Sequence, residues 1–156
     1  MKYVFIFLLL LLSGITGNAT KLHVGQDKKY KKIKQAIADA KKSDTIIVFK
    51  GLYKEGNILI DKSITLIGIN LPIIDGDRKF EVLSVKASNV TISGFRIQHS
   101  GYATLDDPGG IKVYESENVK IINNDLYDNF FGIYIQFSKK CVIKNNRIIS
   151  FGKEEQ

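Results

Sequence analysis

GIKVYESENVKIINNDLYDNFF, residues 110–131, and GIYIQFSKKCVIKNNRIIS, residues 132–150, say nearly the same thing twice. Ile111 aligns with Ile133, Val113 with Ile135, Ser116 with Ser138 and Ile121 with Ile143, and the pair Asn123-Asn124 aligns with Asn145-Asn146. The offset of about 22 residues lies in the range in which a fixed period signals stacked supersecondary units, each too short to bury a face alone.

Within a unit the apolar residues alternate with period two, through Ile111 and Val113, then Val119 and Ile121, then Leu126. That is the pattern of short strands and not of helix. Three short strands per turn predict an all-β parallel β-helix, whose inward residues stack on their equivalents in the next coil at the strand spacing of about 4.8 Å. The paired asparagines suit its sharp corners, because Asn tolerates left-handed backbone angles and stacked amides can bond along the column. Cys141 falls where Val119 and Val90 fall in neighbouring coils, which predicts a small inward hydrophobe; with no second cysteine, packing alone holds the fold.

Upstream, Leu83, Val85 and Ser88 correspond to Ile111, Val113 and Ser116, and Val90, Ile92 and Ile97 continue the column. Between Ile97 and Ile111 sits the one clear insertion, His99 to Gly110, and solenoid insertions gather as loops over one face, often a binding face. Earlier coils are less regular: Thr45 to Phe49, Asn57 to Ile60 and Ser63 to Ile67 read as strands, with a bend expected at Gly68. Lys21 to Val24 predicts a first strand. Tyr30 to Ala40 places Ile33, Ala36, Ile37 and Ala40 on one face of a short amphipathic helix that caps the solenoid. Around it cluster Lys28, Lys29, Lys31, Lys32, Lys34, Lys41 and Lys42, a basic surface suited to acidic lipid or protein.

At the start, Lys2 precedes an apolar run from Tyr3 to Leu12 and then Gly17-Asn18-Ala19, which predicts a signal peptide over 1–19 cleaved after Ala19, with a retained anchor as the alternative. The expected product is periplasmic or secreted. The expected organisation is a strand and capping helix over 20–44, β-helix coils over 45–151 and a tail over 152–156. The formal charge of +7 suits an anionic membrane surface, an acidic partner or an acidic polysaccharide, and no nucleic-acid recognition motif is present.

The helix and strand phrase QAIADAKKSDTIIVFKGLYKEGNILIDKSITLIGIN, then IIDG and SNVTISGFRI, resembles the start of pectin-lyase-like right-handed β-helix proteins and, more narrowly, the NosD family of nitrous oxide reductase accessory proteins. The resemblance implies an exported, non-enzymatic role in copper-centre assembly, with an ABC-type ATPase, its membrane permease and nitrous oxide reductase as partners. It also implies that the chain is an amino-terminal portion, whose uncapped last coil would favour self-association.

Soft ligands or imidazoles would serve copper, and His99 at the loop mouth is the metal candidate, with His23 and Cys141 the other donors. The alternative function is a polysaccharide-binding or polysaccharide-cleaving lyase or hydrolase, for which Asp106 and Asp107 would supply carboxylates, with Arg96 nearby. For recognition, Lys112, Tyr114, Tyr134 and Gln136 should point outward as a polar and aromatic strip beside the loop and its Tyr102, with Tyr127, Asp128 and Phe130 on its border.

Overall fold

A computed structural model describes residues 19–102 and 107–151. The expected signal peptide through Asn18, the loop tip with Asp106, and the tail over 152–156 lie outside the described residues. Three parallel sheets run the length of the solenoid. The first contains β1 (Lys21–Val24), β2 (Thr45–Phe49), β5 (Thr65–Ile69), β8 (Thr91–Ser93), β11 (Lys120–Ile122) and β14 (Val142–Lys144). The second contains β3 (Leu52–Tyr53), β6 (Ile73–Asp75), β9 (Arg96–Gln98), β12 (Asp125–Tyr127) and β15 (Arg147–Ile149). The third contains β4 (Ile58–Ile60), β7 (Leu83–Val85), β10 (Gly109–Tyr114) and β13 (Phe131–Gln136). Successive strands visit the sheets in rotation, so the chain winds as the parallel β-helix that the repeat predicts.

The registers trace the core. Ile46, Leu66, Ile92, Ile121 and Ile143 stack in the first sheet; Tyr53, Ile74, Ile97, Leu126 and Ile148 stack in the second. Ile111 pairs with Ile133 and with Leu83, and Val113 pairs with Ile135 and Val85, at the offsets read from the repeat. Burial then falls away at the last coil: Ile121 and Leu126 are wholly buried, whereas Ile143 is 49% and Ile148 51% exposed. Cys141 is half-buried and packs against the edge of the core.

At the opposite end, α1 (Ile33–Asp39) is shorter than the amphipathic pattern suggests and packs Ile33, Ala36 and Ile37 into the core. Its N-cap, Lys32, has no capping side chain. The coils supply both caps: the Glu55 carboxylate accepts the amides of Ile33 and Lys34, and Lys62 Nζ donates to the carbonyls of Ile37, Ala38 and Ala40.

The asparagine pairs divide their labour. Asn123 and Asn145 turn the corner from the first sheet to the second with φ of 56°, where the preceding coil uses Gly94. Asn124 points inward and is 3% exposed. Its side chain accepts the Phe95 amide at 3.1 Å and donates to Ile92 O and to Asn146 Oδ1 at 3.1 Å, while Asn146 donates to Ile121 O at 2.7 Å. Phe95, fully buried, takes the place of the asparagine one coil earlier. Gly68 makes no bend: it lies within β5, where a Cβ would collide with the carbonyl of Gly94 in the next coil.

Asn124→Ala leaves the Phe95 N–H buried without its partner, so it should cost about 1–3 kcal/mol, the penalty of one orphaned buried group. Exposed Lys42→Ala, away from these corners, should stay within about 0.5 kcal/mol. Urea unfolding followed by circular dichroism compares them.

Candidate functional site

The corner joining the second sheet to the third carries the insertion. The chain leaves β9 through His99, whose φ of 55° reverses its course, buries Ser100, exposes Tyr102 and returns through Asp107 and Pro108 into β10. Asn129 holds this corner as Asn124 holds the previous one: it accepts the Ser100 amide at 3.1 Å and donates to Ile97 O at 3.0 Å. Ser100 Oγ in turn accepts the Phe130 amide at 2.8 Å.

Tyr102, 57% exposed, stands between two clefts and lines both. One, of about 170 Å³, is bounded by Arg78, Asp128, Phe130 and Phe151; the other, of about 280 Å³, by Asn57, Lys79, Phe80, Glu81 and Pro108. A string of rings crosses the ridge. Tyr102 meets Phe130 edge-on at 4.8 Å, Phe130 meets Phe131 at 4.9 Å, and Phe131 reaches Tyr134 at 5.6 Å.

Beside the first cleft, charged and amide side chains link across successive coils. Arg147 donates to Asp125 at 2.8 Å, and Arg96 lies over the Tyr127 ring and donates to Gln98 at 2.9 Å. Gln98 donates to Asp75 at 2.8 Å, and His99 Nδ1 lies 3.0 Å from the same carboxylate. The His99 Nε2 lies 3.9 Å from Asp128, which is also bonded to Arg78. Arg96 is therefore engaged with Gln98, Tyr127 and, at 3.8 Å, Asp125, and not held out toward a substrate with Asp107.

The third sheet changes the expected strip. Lys112 does point away from the core, but it is 7% exposed and not an open contact. Tyr114 and Tyr134 flank its ammonium, with ring centres 5.1 and 5.0 Å away, and Glu81 lies 3.7 Å off. Tyr114 donates to Glu81 at 2.8 Å, Ser84 donates to the same carboxylate, and Asn57 donates to Ser84 at 2.6 Å. Glu81 precedes β7 by two residues, and alternation along β10 could not announce a partner from the neighbouring coil. Tyr134 and Gln136 are half-buried, Asp107 likewise with φ of 44°, and Asp106 lies outside the described residues. Asp75, Arg78 and Glu81 are the site residues that the linear pattern did not single out; each meets its partner from another coil, so nothing local in the sequence marks them.

The donor set does not fit copper. Both His99 nitrogens face carboxylates, His23 packs edge-on to Phe49, and Cys141 Sγ is directed to Lys139 O at 3.8 Å. Among the described residues no group of three or more His, Cys, Asp or Glu side chains is placed to hold a metal ion.

Burial alone would raise the Asp75 carboxyl, but hydrogen bonds from Gln98, the Asp77 amide and His99 outweigh it and hold the group below its ordinary 3.8. A carboxyl depressed in the folded state adds stability above the unfolded value and loses it as pH falls through the folded one. Stability should therefore decline as pH falls through and below the ordinary carboxyl range. Asp75→Asn should flatten that decline, as read by thermal midpoints at each pH.

The "Right handed beta helix region" family matches residues 47–153. A cell surface glycoprotein of Methanothermus fervidus is 33% identical over 135 residues, covering 83% of this chain and 21% of its own length, so the chain spans about a fifth of that relative. A crystal structure of pectin methylesterase in complex with hexasaccharide VII superposes with a TM-score of 0.58 at 17% identity, over 78% of this chain and 48% of that one. That likeness is one of fold.

Proposed function

Because the chain belongs to the right-handed β-helix family, whose stacked coils leave corners free for recognition, we propose that it is an exported surface solenoid that binds carbohydrate without cleaving it. The ring string from Tyr102 through Phe130 and Phe131 to Tyr134, flanked by clefts with charged walls, carries this reading. Sugar rings present apolar C–H faces to aromatic side chains and hydroxyls to carboxylates and guanidinium groups. The match to a cell surface glycoprotein and the expected leader both support a surface or secreted location.

Binding without turnover is the better reading because three described carboxylates near the groove are committed. Asp75 is held by Gln98 and His99, Asp128 by Arg78, and Glu81 by Tyr114 and Ser84. A general acid or base needs a proton to exchange with substrate, and these groups are spent on internal partners. The narrower role in copper-centre assembly with an ABC transporter rests on the NosD resemblance; these donors supply it no copper site, so it would act there as a scaffold.

Titration calorimetry against neutral and acidic oligosaccharides tests the proposal. Tyr102→Ala should weaken binding about tenfold or more, a loss of ~1.4 kcal/mol, while Lys42→Ala at the far end should leave neutral-sugar affinity unchanged. No binding at millimolar sugar, or stoichiometric copper retention lost in His99→Ala, would overturn it.

A further inference from the structure

Asn89-Val90-Thr91 is an Asn-X-Thr triplet, the acceptor pattern for N-linked glycan in exported chains. In the structure it occupies the corner between the third sheet and the first, where β7 gives way to β8. Asn89 is exposed in left-handed backbone with φ of 58°. The register places Asn118 and then Lys140 at the same corner in the next two coils, with φ of 58° and 54°. Two residues beyond them stand Lys120 and Val142, so neither of those corners completes a triplet.

We infer that Asn89 is an N-glycosylation site, rested on the reading that the chain is exported. The co-substrate is an oligosaccharide joined through phosphate to a lipid carrier. Asn89 Nδ2 attacks the anomeric carbon, a C–N bond forms as the C–O bond to phosphate breaks, the lipid phosphate leaves with the electron pair, and the amide nitrogen gives up one proton.

The local geometry suits that exchange. Asn89 Oδ1 accepts from Asn118 Nδ2 at 3.2 Å and the Asn89 amide donates to Glu117 O at 2.9 Å, both bonds that a sugar on Nδ2 leaves intact. Nδ2 itself makes no hydrogen bond among the described residues. Thr91 is half-buried on the outer face of β8, beside the fully buried Ile92, and its hydroxyl also has no partner among the described residues. The Tyr102 groove lies at the corner from the second sheet to the third, so a glycan on Asn89 grows from a different corner and leaves the groove open. A second triplet, Asn18-Ala19-Thr20, is divided by the expected cleavage after Ala19, and Asn18 lies outside the described residues.

The test secretes the full chain from an N-glycosylating animal cell line behind a heterologous leader, so that export does not depend on the native one. Intact mass and the Asn89 peptide are read before and after peptide N-glycosidase treatment in ¹⁸O water. The expected result is one glycan on Asn89, absent from Asn89→Gln and Thr91→Ala and kept in Thr91→Ser, with wild-type circular dichroism in all three. A secreted, folded chain with an unmodified Asn89 peptide, or a glycan that survives Thr91→Ala, would overturn the inference. Sugar binding by unmodified Asn89→Gln is measured in parallel, so failure of the groove and failure of the acceptor site register separately.

Discussion

Each coil of this solenoid has to bury its aliphatic residues against the coils on either side, and the rest of the structure follows from that dependence. Parallel strands about 4.8 Å apart place like on like, so the core is a set of columns and not a packed centre. Ile46 through Ile121 are wholly buried because coils lie on both sides, whereas Ile143, chemically the same residue, is half exposed, with a coil on only one side among the described residues. Burial here is a property of position along the axis.

Stacking alone would leave the corners unsatisfied, since a tight turn carries buried amides out of the sheet ladder. Asn124 and Asn129 answer this at two different corners in the same way. Each reaches back one coil to accept an amide and donate to a carbonyl. Where the solenoid has no asparagine at the first of these corners, Gly94 takes the turn at φ of 84° and Phe95 fills the interior with hydrocarbon. Polar ladder and apolar plug are alternative solutions to one constraint.

This explains what could be read from the linear chain. Alternation within a strand and the recurrence of Ile111 at Ile133 depend on local periodicity, so the columns, their register and the asparagine corners were legible. Phe95 escaped because it sits at a corner, outside any alternating run. The burial of Lys112 escaped because its partner Glu81 comes from another coil and its flanking ring Tyr134 from a third. The link from Asp75 through His99 to Asp128 likewise joins three coils. Its members are neighbours only after the chain has wound up, and a polar residue announces its exposure in sequence but not its partner.

The same separation governs charge. Near the capped end the acidic groups are used on the fold itself: Asp44 accepts the amides of Thr20 and Lys41 at 2.7 Å each, Glu55 caps the helix and Asp39 takes the Tyr30 hydroxyl at 3.0 Å. The lysines on either side of that helix are left exposed and, among the described residues, form no salt bridge, so positive charge accumulates at this end. Around Tyr102 the acids instead meet partners from other coils: Asp128 pairs with Arg78, Glu81 with Lys112, and Asp75 is held by Gln98 and His99. A solenoid can sustain both arrangements because a corner communicates chiefly with the coils above and below it. One end therefore projects an electrostatic field, while the described charges at the corner bearing the insertion are largely paired across neighbouring coils.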